Sequence, residues 1–253
     1  MLSEIEVSIC ADSSTIRCTA LSQAHINQPY LIINTNNAPV STFEFTPSNI
    51  ISIIMTLAYE AVIFDMGEVL FSWTPTDHPS VPVTTLISMI RHDIWPSFER
   101  GEASAEEVYQ TLGEKFSVSA TEIAAAFREA TAALKPNDQM MALVQDIKRH
   151  CTSTSAIMMT NIPRPDFDEL REREYIWHCF DEVFASCYEG MRKPESRFYQ
   201  RVLDSVGVSS PARAIFIDDR LENVVAAREL GMQAVHCTDV SAACQALRDM
   251  LGI

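Results

Sequence analysis

The sequence predicts an α/β fold in which a doubly wound parallel sheet carries an inserted α-helical cap. Three observations predict it: a short apolar run that ends on a carboxylate at Asp65, a helical block soon after it, and alternating strands and helices from residue 156 onward. Strands that alternate with helices in this way are typical of parallel sheets covered by helices on both faces.

The first core strand is the run Ala-Val-Ile-Phe at residues 61–64, whose composition is that of a buried parallel strand. The segment 81–134 is predicted to be helical, because Ser104 and Ser119 are each followed three residues later by Glu, as in a capping box. A further helix is predicted at 138–149. Strands are then predicted at 156–159, 183–185, 214–217 and 234–236, and helices at 166–174, 195–206, 221–230 and 241–251.

These elements divide the chain into three parts. Residues 61–73 and 150–253 are expected to form the core, and residues 74–149 the helical cap with its return helix. Residues 1–60 have a different composition, with no lysine and a single arginine, and are predicted to be an N-terminal extension of unknown role. An extra strand pair, a disordered arm and a mispredicted first exon all remain open for it.

Composition limits the possible partners. The 253 residues carry a formal net charge of -15, which argues against nucleic acids and anionic membranes. The most apolar run before the first motif, residues 50–57, is too short to span a bilayer. The seven cysteines show no metal-binding spacing, so we expect reduced thiols in a cytoplasmic protein. The sequence makes no prediction of oligomeric state.

Polar residues stand where the predicted strands end. Asp65 follows the first strand, Thr160-Asn161 follow the strand at 156–159, and Asp218-Asp219 follow the strand at 214–217. In a doubly wound sheet, ligands bind outside these carboxyl ends. A carboxylate can attack phosphorus, clustered carboxylates require a hard cation such as Mg²⁺, and an ammonium such as that of Lys193 balances phosphate charge.

Four segments resemble the motifs of the haloacid dehalogenase superfamily, in the same order and with a helical C1-type cap after the first. They are Phe64-Asp-Met-Gly-Glu-Val-Leu70, Met159-Thr-Asn161, Gly190-Met-Arg-Lys-Pro194 and Phe216-Ile-Asp-Asp-Arg-Leu-Glu-Asn223. The resemblance covers residues 61–251 and implies a magnesium-dependent phosphatase with an aspartyl-phosphate intermediate.

The resemblance also implies a role for each matching residue. Asp65 would be the nucleophile, Thr160 and Asn161 would bind the phosphoryl group, and Lys193 would neutralise both nucleophile and phosphate. The implied metal ligands are Asp65, the Gly67 carbonyl, Asp218 and Asp219, with Asn223 in a supporting role.

Gly67 is a departure from the family pattern. Phosphatases of the superfamily usually place a second Asp two residues after the nucleophile, where it protonates the leaving group. General acid catalysis contributes about 10²–10⁴-fold. We therefore expect substrates with good leaving groups to be favoured. Glu68 is an alternative acid, but it is one position further along and is expected to face away.

Within the superfamily, the segments around Trp73, Phe98 and Asp218 resemble fungal proteins of sesquiterpene pathways. This resemblance implies a small-molecule phosphate or a terpenyl diphosphate as substrate. One alternative is a terpene cyclase, because Asp218-Asp219-x-x-Glu222 matches a magnesium-diphosphate-binding pattern of terpene synthases. A second alternative is an inactive scaffold that keeps the fold, although the retained Asp65, Thr160, Lys193 and Asp218 argue against it.

Aromatic residues of the cap have two possible roles. They could line an apolar pocket over the site, or they could form the core of the cap, which is the interpretation favoured here. They are Trp73, His78, Trp95, Phe98 and Tyr109. Arg192 and Arg220 are predicted to be solvated charged neighbours of the site.

Overall fold

A computed structural model describes residues 59–74, 77–172 and 177–253 in full, together with the backbone of four earlier strands. The chain divides into two compact units, Met1–Ala58 and Tyr59–Ile253. The first unit contains an antiparallel sheet in which each strand pairs with the next along the chain. Its strands are β1 (Glu4–Ala11), β2 (Ser14–Leu21), β3 (Tyr30–Asn34) and β4 (Ser41–Glu44). The remaining residues of the predicted extension up to 58 lie outside the described part of the chain.

The second unit is built on a five-stranded parallel sheet. Its strands are β5 (Ala61–Phe64), β8 (Ser155–Thr160), β9 (Glu182–Ala185), β10 (Ala214–Asp218) and β11 (Gln233–His236). Their order across the sheet is β11-β10-β5-β8-β9, so β5 is central. The chain reaches β8 and β9 on one side of β5 before it crosses to β10 and β11 on the other. Such a reversal of strand order is where doubly wound sheets bind ligands.

Five helices cover the two faces of this sheet. They are α5 (Asp138–His150), α6 (Arg164–Arg171), α8 (Ser196–Ser205), α9 (Leu221–Glu229) and α10 (Val240–Leu251). Successive strand side chains point to opposite faces. Val62 and Phe64 therefore pack with α5, α6 and α10, whereas Ala61 and Ile63 pack with α8 and α9. All four β5 residues are fully buried, as the continuous apolar run predicted.

The cap is helical and has its own apolar core. It contains α1 (Val83–Ile90), α2 (Trp95–Glu99), α3 (Ala105–Phe116) and α4 (Ala120–Ala132). Two short antiparallel strands, β6 (Phe71–Ser72) and β7 (Lys135–Pro136), pair where the chain leaves the core and returns to it. A short helix, α7 (Ser186–Glu189), follows β9.

The predicted fold class is confirmed, and most element ends agree within one or two residues. Ser119 forms the complete capping box with Glu122, whereas at the start of α3 only the bond from the Glu107 N–H to Ser104 is present. The helix predicted at 166–174 begins earlier, at Arg164, and ends at Arg171. Positions 173–176 lie outside the described residues.

Candidate active site

Lys193 lies at the centre of a buried charged cluster at the carboxyl edge of the sheet. Its ammonium donates hydrogen bonds to Asp65 Oδ1, to Asp218 Oδ2 at 2.7 Å and to the Met159 carbonyl at 3.0 Å. The side chains of Lys193 and Asp218 are only 1% and 0% exposed, so water contributes little to their solvation. The loop before α8 therefore brings a cation to the ends of three adjacent strands, β5, β8 and β10.

The Asp218 carboxylate is held by a second set of donors. Its Oδ1 accepts hydrogen bonds from the Asn223 side chain at 2.9 Å and from the Arg220 backbone N–H at 2.8 Å. Asn223 lies in the first turn of α9 and is buried. Since Oδ2 binds Lys193, both oxygens of Asp218 have fixed orientations.

Thr160 and Asn161 lie at the carboxyl end of β8, although the strand runs one residue further than predicted and includes Thr160. Thr160 is the last residue of β8 and is buried, directly after the Met159 carbonyl that binds Lys193. The Asn161 side chain binds the backbone of Lys193, accepting from its N–H at 2.8 Å and donating to its carbonyl at 2.9 Å. The structure therefore uses the Asn161 amide to hold the Lys193 loop.

Three carboxylates of the site are close enough to share one cation. Asp65, Asp218 and Asp219 each offer an oxygen, and these atoms lie within 4.8 Å of one another. An all-oxygen donor set fits a hard cation such as Mg²⁺. Three carboxylates against the single ammonium of Lys193 also leave an excess of negative charge, which a divalent cation would balance. The Gly67 carbonyl stays a predicted further ligand.

The pKa values reflect this unbalanced charge. Burial raises the pKa of Asp65 to about 7, against the opposing effect of Lys193 and with a further contribution from Asp218. Burial and the Asp218 charge also raise the pKa of Asp219. For Lys193, burial lowers the pKa, but the Asp218 and Asp65 carboxylates outweigh burial and raise it above its ordinary value. Perturbed groups gathered at one cleft are typical of functional sites.

The cap aromatics belong to the core of the cap. Trp95, Phe98 and Tyr109 are buried and, with Phe127, form a series of ring contacts with centroids 4.8–6.1 Å apart. Trp73 packs against the same cluster. His78 Nε2 lies 4.0 Å from Glu129 in the cap. These contacts agree with the cap-core interpretation rather than with a pocket lining.

The prediction that Arg192 is solvated is wrong. Its Nε donates to Glu99 Oε2 at 2.6 Å, and the two side chains are 20% and 10% exposed. Glu99 comes from the cap, 93 positions away in sequence, so no local pattern could have revealed the pair. No sequence pattern pointed to Ser186 either, which is fully buried at the start of α7. By contrast, Arg220 is 58% exposed and binds Glu222, as expected for a solvated residue.

Comparison with known proteins shows to which family this chain belongs. A sequence profile described as haloacid dehalogenase-like hydrolase matches residues 59–231. The chain belongs to this family of hydrolases, and the resemblance of its four motifs is thereby confirmed.

Two fungal relatives are informative. Sesquiterpene phosphatase astK of Aspergillus oryzae is 43% identical over 198 residues, which are 78% of this chain and the whole of that protein. Drimenol cyclase drtB of Aspergillus calidoustus is 34% identical over 177 residues, which are 69% of this chain but only 33% of the cyclase. The chain thus spans all of the phosphatase and one third of the cyclase.

Solved structures show the same fold. A family enzyme from Bacteroides thetaiotaomicron in complex with magnesium and inorganic phosphate aligns with a TM-score of 0.56 and 18% identity, over 70% of this chain and 93% of that one. The L-2-haloacid dehalogenase of Xanthobacter autotrophicus, with chloropropionic acid covalently bound, gives 0.56 and 16%, over 77% and 83%. No helix within the described residues is long and apolar enough to cross a membrane.

Proposed function

We propose that this enzyme is a magnesium-dependent phosphatase that uses Asp65 as its nucleophile and acts on a terpenyl phosphate or diphosphate. The observation that carries the proposal is the shared Lys193 ammonium, which binds the Asp65 and Asp218 carboxylates in a buried site. Burying like charges together is costly, and it is typical of sites where those charges take part in chemistry.

Asp65, Asp218 and Asp219 would hold the Mg²⁺, with the Gly67 carbonyl as a further predicted oxygen ligand. When bound, the cation would supply charge stabilisation to the phosphoryl oxygens. Asn223 and the Arg220 backbone keep Asp218 in a fixed orientation for this purpose.

The chain's own residues account for the two chemical steps. An Asp65 carboxylate oxygen attacks phosphorus, and the bond from phosphorus to the leaving oxygen breaks with its electron pair on that oxygen. Lys193 stays beside Asp65 and offsets the negative charge of the phosphoryl group. Thr160 is assigned to the phosphoryl oxygens because it ends β8 beside the Lys193 contact. Water then cleaves the acyl-phosphate, which releases inorganic phosphate and restores Asp65.

Gly67 narrows the substrate class. With no carboxyl at this position, the departing oxygen takes its proton from solvent, so a stable leaving anion is required. Glu68 does not substitute, because it is exposed and its carboxylate accepts a hydrogen bond from the Trp73 backbone N–H at 2.8 Å. Attack on the terminal phosphate of a diphosphate expels a phosphate monoester, which is a good leaving group. The full-length match to a sesquiterpene phosphatase supports a terpenyl substrate, and the missing acid at Gly67 supports a diphosphate over a simple alkyl phosphate.

A terpene cyclase is the second candidate, and the match to drimenol cyclase favours it. In that alternative, Asp218, Asp219 and Glu222 would bind the magnesium diphosphate. Two facts weigh against it: the match covers 33% of the cyclase, and Glu222 is 49% exposed and bound to Arg220. The retained cluster around Lys193 argues against an inactive scaffold, the third possibility.

The test is phosphate release from phosphomonoesters, sugar phosphates and farnesyl- or drimanyl-type diphosphates, with and without Mg²⁺. We expect magnesium-dependent release that is fastest on the diphosphates, and a linear alcohol or monophosphate in the organic extract. A cyclised product would favour the cyclase, and no turnover on any substrate would favour the scaffold.

A further inference from the structure

One turn of the cap, residues 99–101, is seated on the core segment that follows β9. We call it the docking turn; it comprises Glu99, Arg100 and Gly101 at the end of α2. Its backbone approaches the core closely. Gly101 has φ +69°, and a Cβ at this position would lie 2.4 Å from the Cys187 carbonyl oxygen. Because that contact is with backbone, only glycine fits there.

The Glu99 carboxylate reaches the neighbour of the central lysine. Its Oε2 accepts from Arg192 Nε at 2.6 Å, and its Oε1 accepts from the Trp95 indole at 3.2 Å. Arg192 directly precedes Lys193 in the chain. The position of a cap carboxylate is therefore linked, through one ion pair and one peptide bond, to the residue that contacts Asp65 and Asp218.

The backbone of the docking turn is tied to the same region. The fully buried Ser186 hydroxyl donates to the Glu99 carbonyl at 2.6 Å and accepts from the Ile162 N–H at 2.9 Å. Ile162 follows Asn161, whose side chain binds both the N–H and the carbonyl of Lys193. The cap thus contacts the Lys193 loop by three routes: through Arg192, through Ser186 and the segment after β8, and through the pair of Arg100 with Glu195 at 3.0 Å.

A contribution to the stability of the folded protein does not explain why an ion pair, Glu99 with Arg192, lies at this place. A mostly buried ion pair is often no more stable than apolar residues of the same size, because both charges lose their hydration. The pair does fix the orientation of the Arg192 side chain, because its Nε donates to Glu99 Oε2 at 2.6 Å. We propose that Glu99 is a positioning residue: through Arg192 it helps to hold the loop of Lys193 in its working place. This inference rests on the proposed role of Lys193 at the phosphate.

The sharpest variant is Glu99→Gln, which keeps an acceptor for the Trp95 indole and removes the charge that holds Arg192. We expect kcat for phosphate release to fall about 10- to 100-fold, because small displacements of a catalytic group have effects of this size. KM should change by no more than roughly threefold, since ground-state binding is not removed. Arg192→Gln breaks the same pair from the core side and should give the same result, so the test survives if one variant fails to fold.

The double variant Glu99→Gln/Arg192→Gln distinguishes coupling from two separate effects. If the two residues act as one pair, the kcat of the double variant should equal the lower of the two single-variant kcat values. The matched control is the ion pair of Asp146 and Arg248, which is also part-exposed, joins α5 to α10 at 2.6 Å and involves neither the four cap helices nor the Lys193 loop. Arg248→Gln should leave kcat within roughly twofold of the wild type, because part-exposed pairs contribute little.

Hydrogen exchange gives a readout that needs no turnover. We expect Glu99→Gln to speed exchange in peptides spanning residues 190–194, where the Lys193 N–H binds Asn161, and to leave α10 unchanged. Unchanged exchange there together with wild-type kcat, or losses that multiply in the double variant, would overturn the proposal. A lower Tm of Glu99→Gln with an unchanged kcat would also overturn the proposal, because Glu99 would then act on stability alone. A wild-type enzyme that releases no phosphate while the exchange effect persists would instead count against the proposed function.

Discussion

The carboxyl edge of the sheet buries charged side chains, whereas the core of the cap buries aromatic side chains. At the sheet edge, Asp65, Lys193 and Asp218 are buried with charges that oppose folding unless they are paired. In the cap, Trp95, Phe98 and other aromatic side chains are buried against one another, which favours folding. Under the proposed function, chemistry takes place at the strand ends, whereas the large cap aromatics stabilise the cap itself.

This difference limits where substrate selectivity can arise. Rings already packed in the cap core cannot also form an open pocket without a change in structure. Polar residues of the cap do reach the core: Glu99 meets Arg192, and Thr131 donates to Asp166 at 3.3 Å. Variants at the sheet edge should therefore affect the chemical step, and variants at these polar contacts should affect positioning or stability.

The largest effect is expected at the nucleophile. Asp65→Asn should reduce phosphate release by about 10³-fold or more, because an amide is a poor nucleophile. The amide is nearly isosteric, so the circular dichroism spectrum should be unchanged. Asp249→Asn, an exposed carboxylate in α10, is the matched control and should keep full activity. Activity of Asp65→Asn near that of the control would remove Asp65 from the mechanism.

The next largest effect on activity is expected from loss of the metal. Excess chelator should stop phosphate release, and added Mg²⁺ should restore it. Asp218→Asn should raise the Mg²⁺ concentration for half-maximal activity by about 10- to 100-fold or more, because loss of a mere outer-shell partner already has an effect of that size, and calorimetry should show weaker binding. Glu222→Gln is the control that separates the two candidate functions. It should leave the Mg²⁺ concentration for half-maximal activity unchanged in a phosphatase and raise it in a cyclase that binds metal through Glu222.

The effect of Gly67→Asp should be smaller and selective. A Cβ at residue 67 has no other atom within 4 Å, so the substitution fits the space available. The new carboxyl should speed hydrolysis of simple alkyl phosphates by about 10-fold or more, within the range of general acid catalysis. Diphosphates should gain little, because their leaving groups need no proton. Equal acceleration of both substrate types would show that leaving-group protonation is not what limits the wild type.

The last effect concerns stability rather than activity, at the contact between α4 and α6. Burial raises the pKa of Asp166 from 3.8 to about 7, with an opposing hydrogen bond from Thr131 and a further increase from Glu169. Between these values the folded state holds a proton that the unfolded state has lost. Stability therefore falls as pH rises from about 4 to about 7, by at most about 4 kcal/mol.

Asp166→Asn should remove this penalty while it keeps an acceptor for Thr131. Its Tm should exceed that of the wild type at pH 8, and the two should converge near pH 4. Thermal unfolding at several pH values measures the difference. Equal Tm values at pH 8 would mean that the Asp166 carboxylate is solvated in the folded protein.

The parallel core and the ends of its strands could be predicted from sequence, because both depend on local patterns. The run at 61–64 and the polar residues after each strand are visible without any knowledge of packing. The Asn161 bonds to Lys193, the Ser186 hydroxyl and the pair of Glu99 with Arg192 could not be predicted. They depend on how the cap and loops pack across many intervening residues. The roles of Asp65, Thr160, Lys193 and the metal ligands stay predictions until they are tested by substitution.

The central claim is that phosphate passes through a covalent bond to Asp65. The direct measurement is a rapid quench of the enzyme with a diphosphate labelled in its terminal phosphate, followed by peptide analysis of the trapped protein. We predict label on the peptide that contains Asp65 in the wild type, formed before free phosphate appears, and none on Asp65→Asn. Phosphate release with no label on the protein would contradict the account. So would an Asp65→Asn variant that still converts the diphosphate to a cyclised terpene.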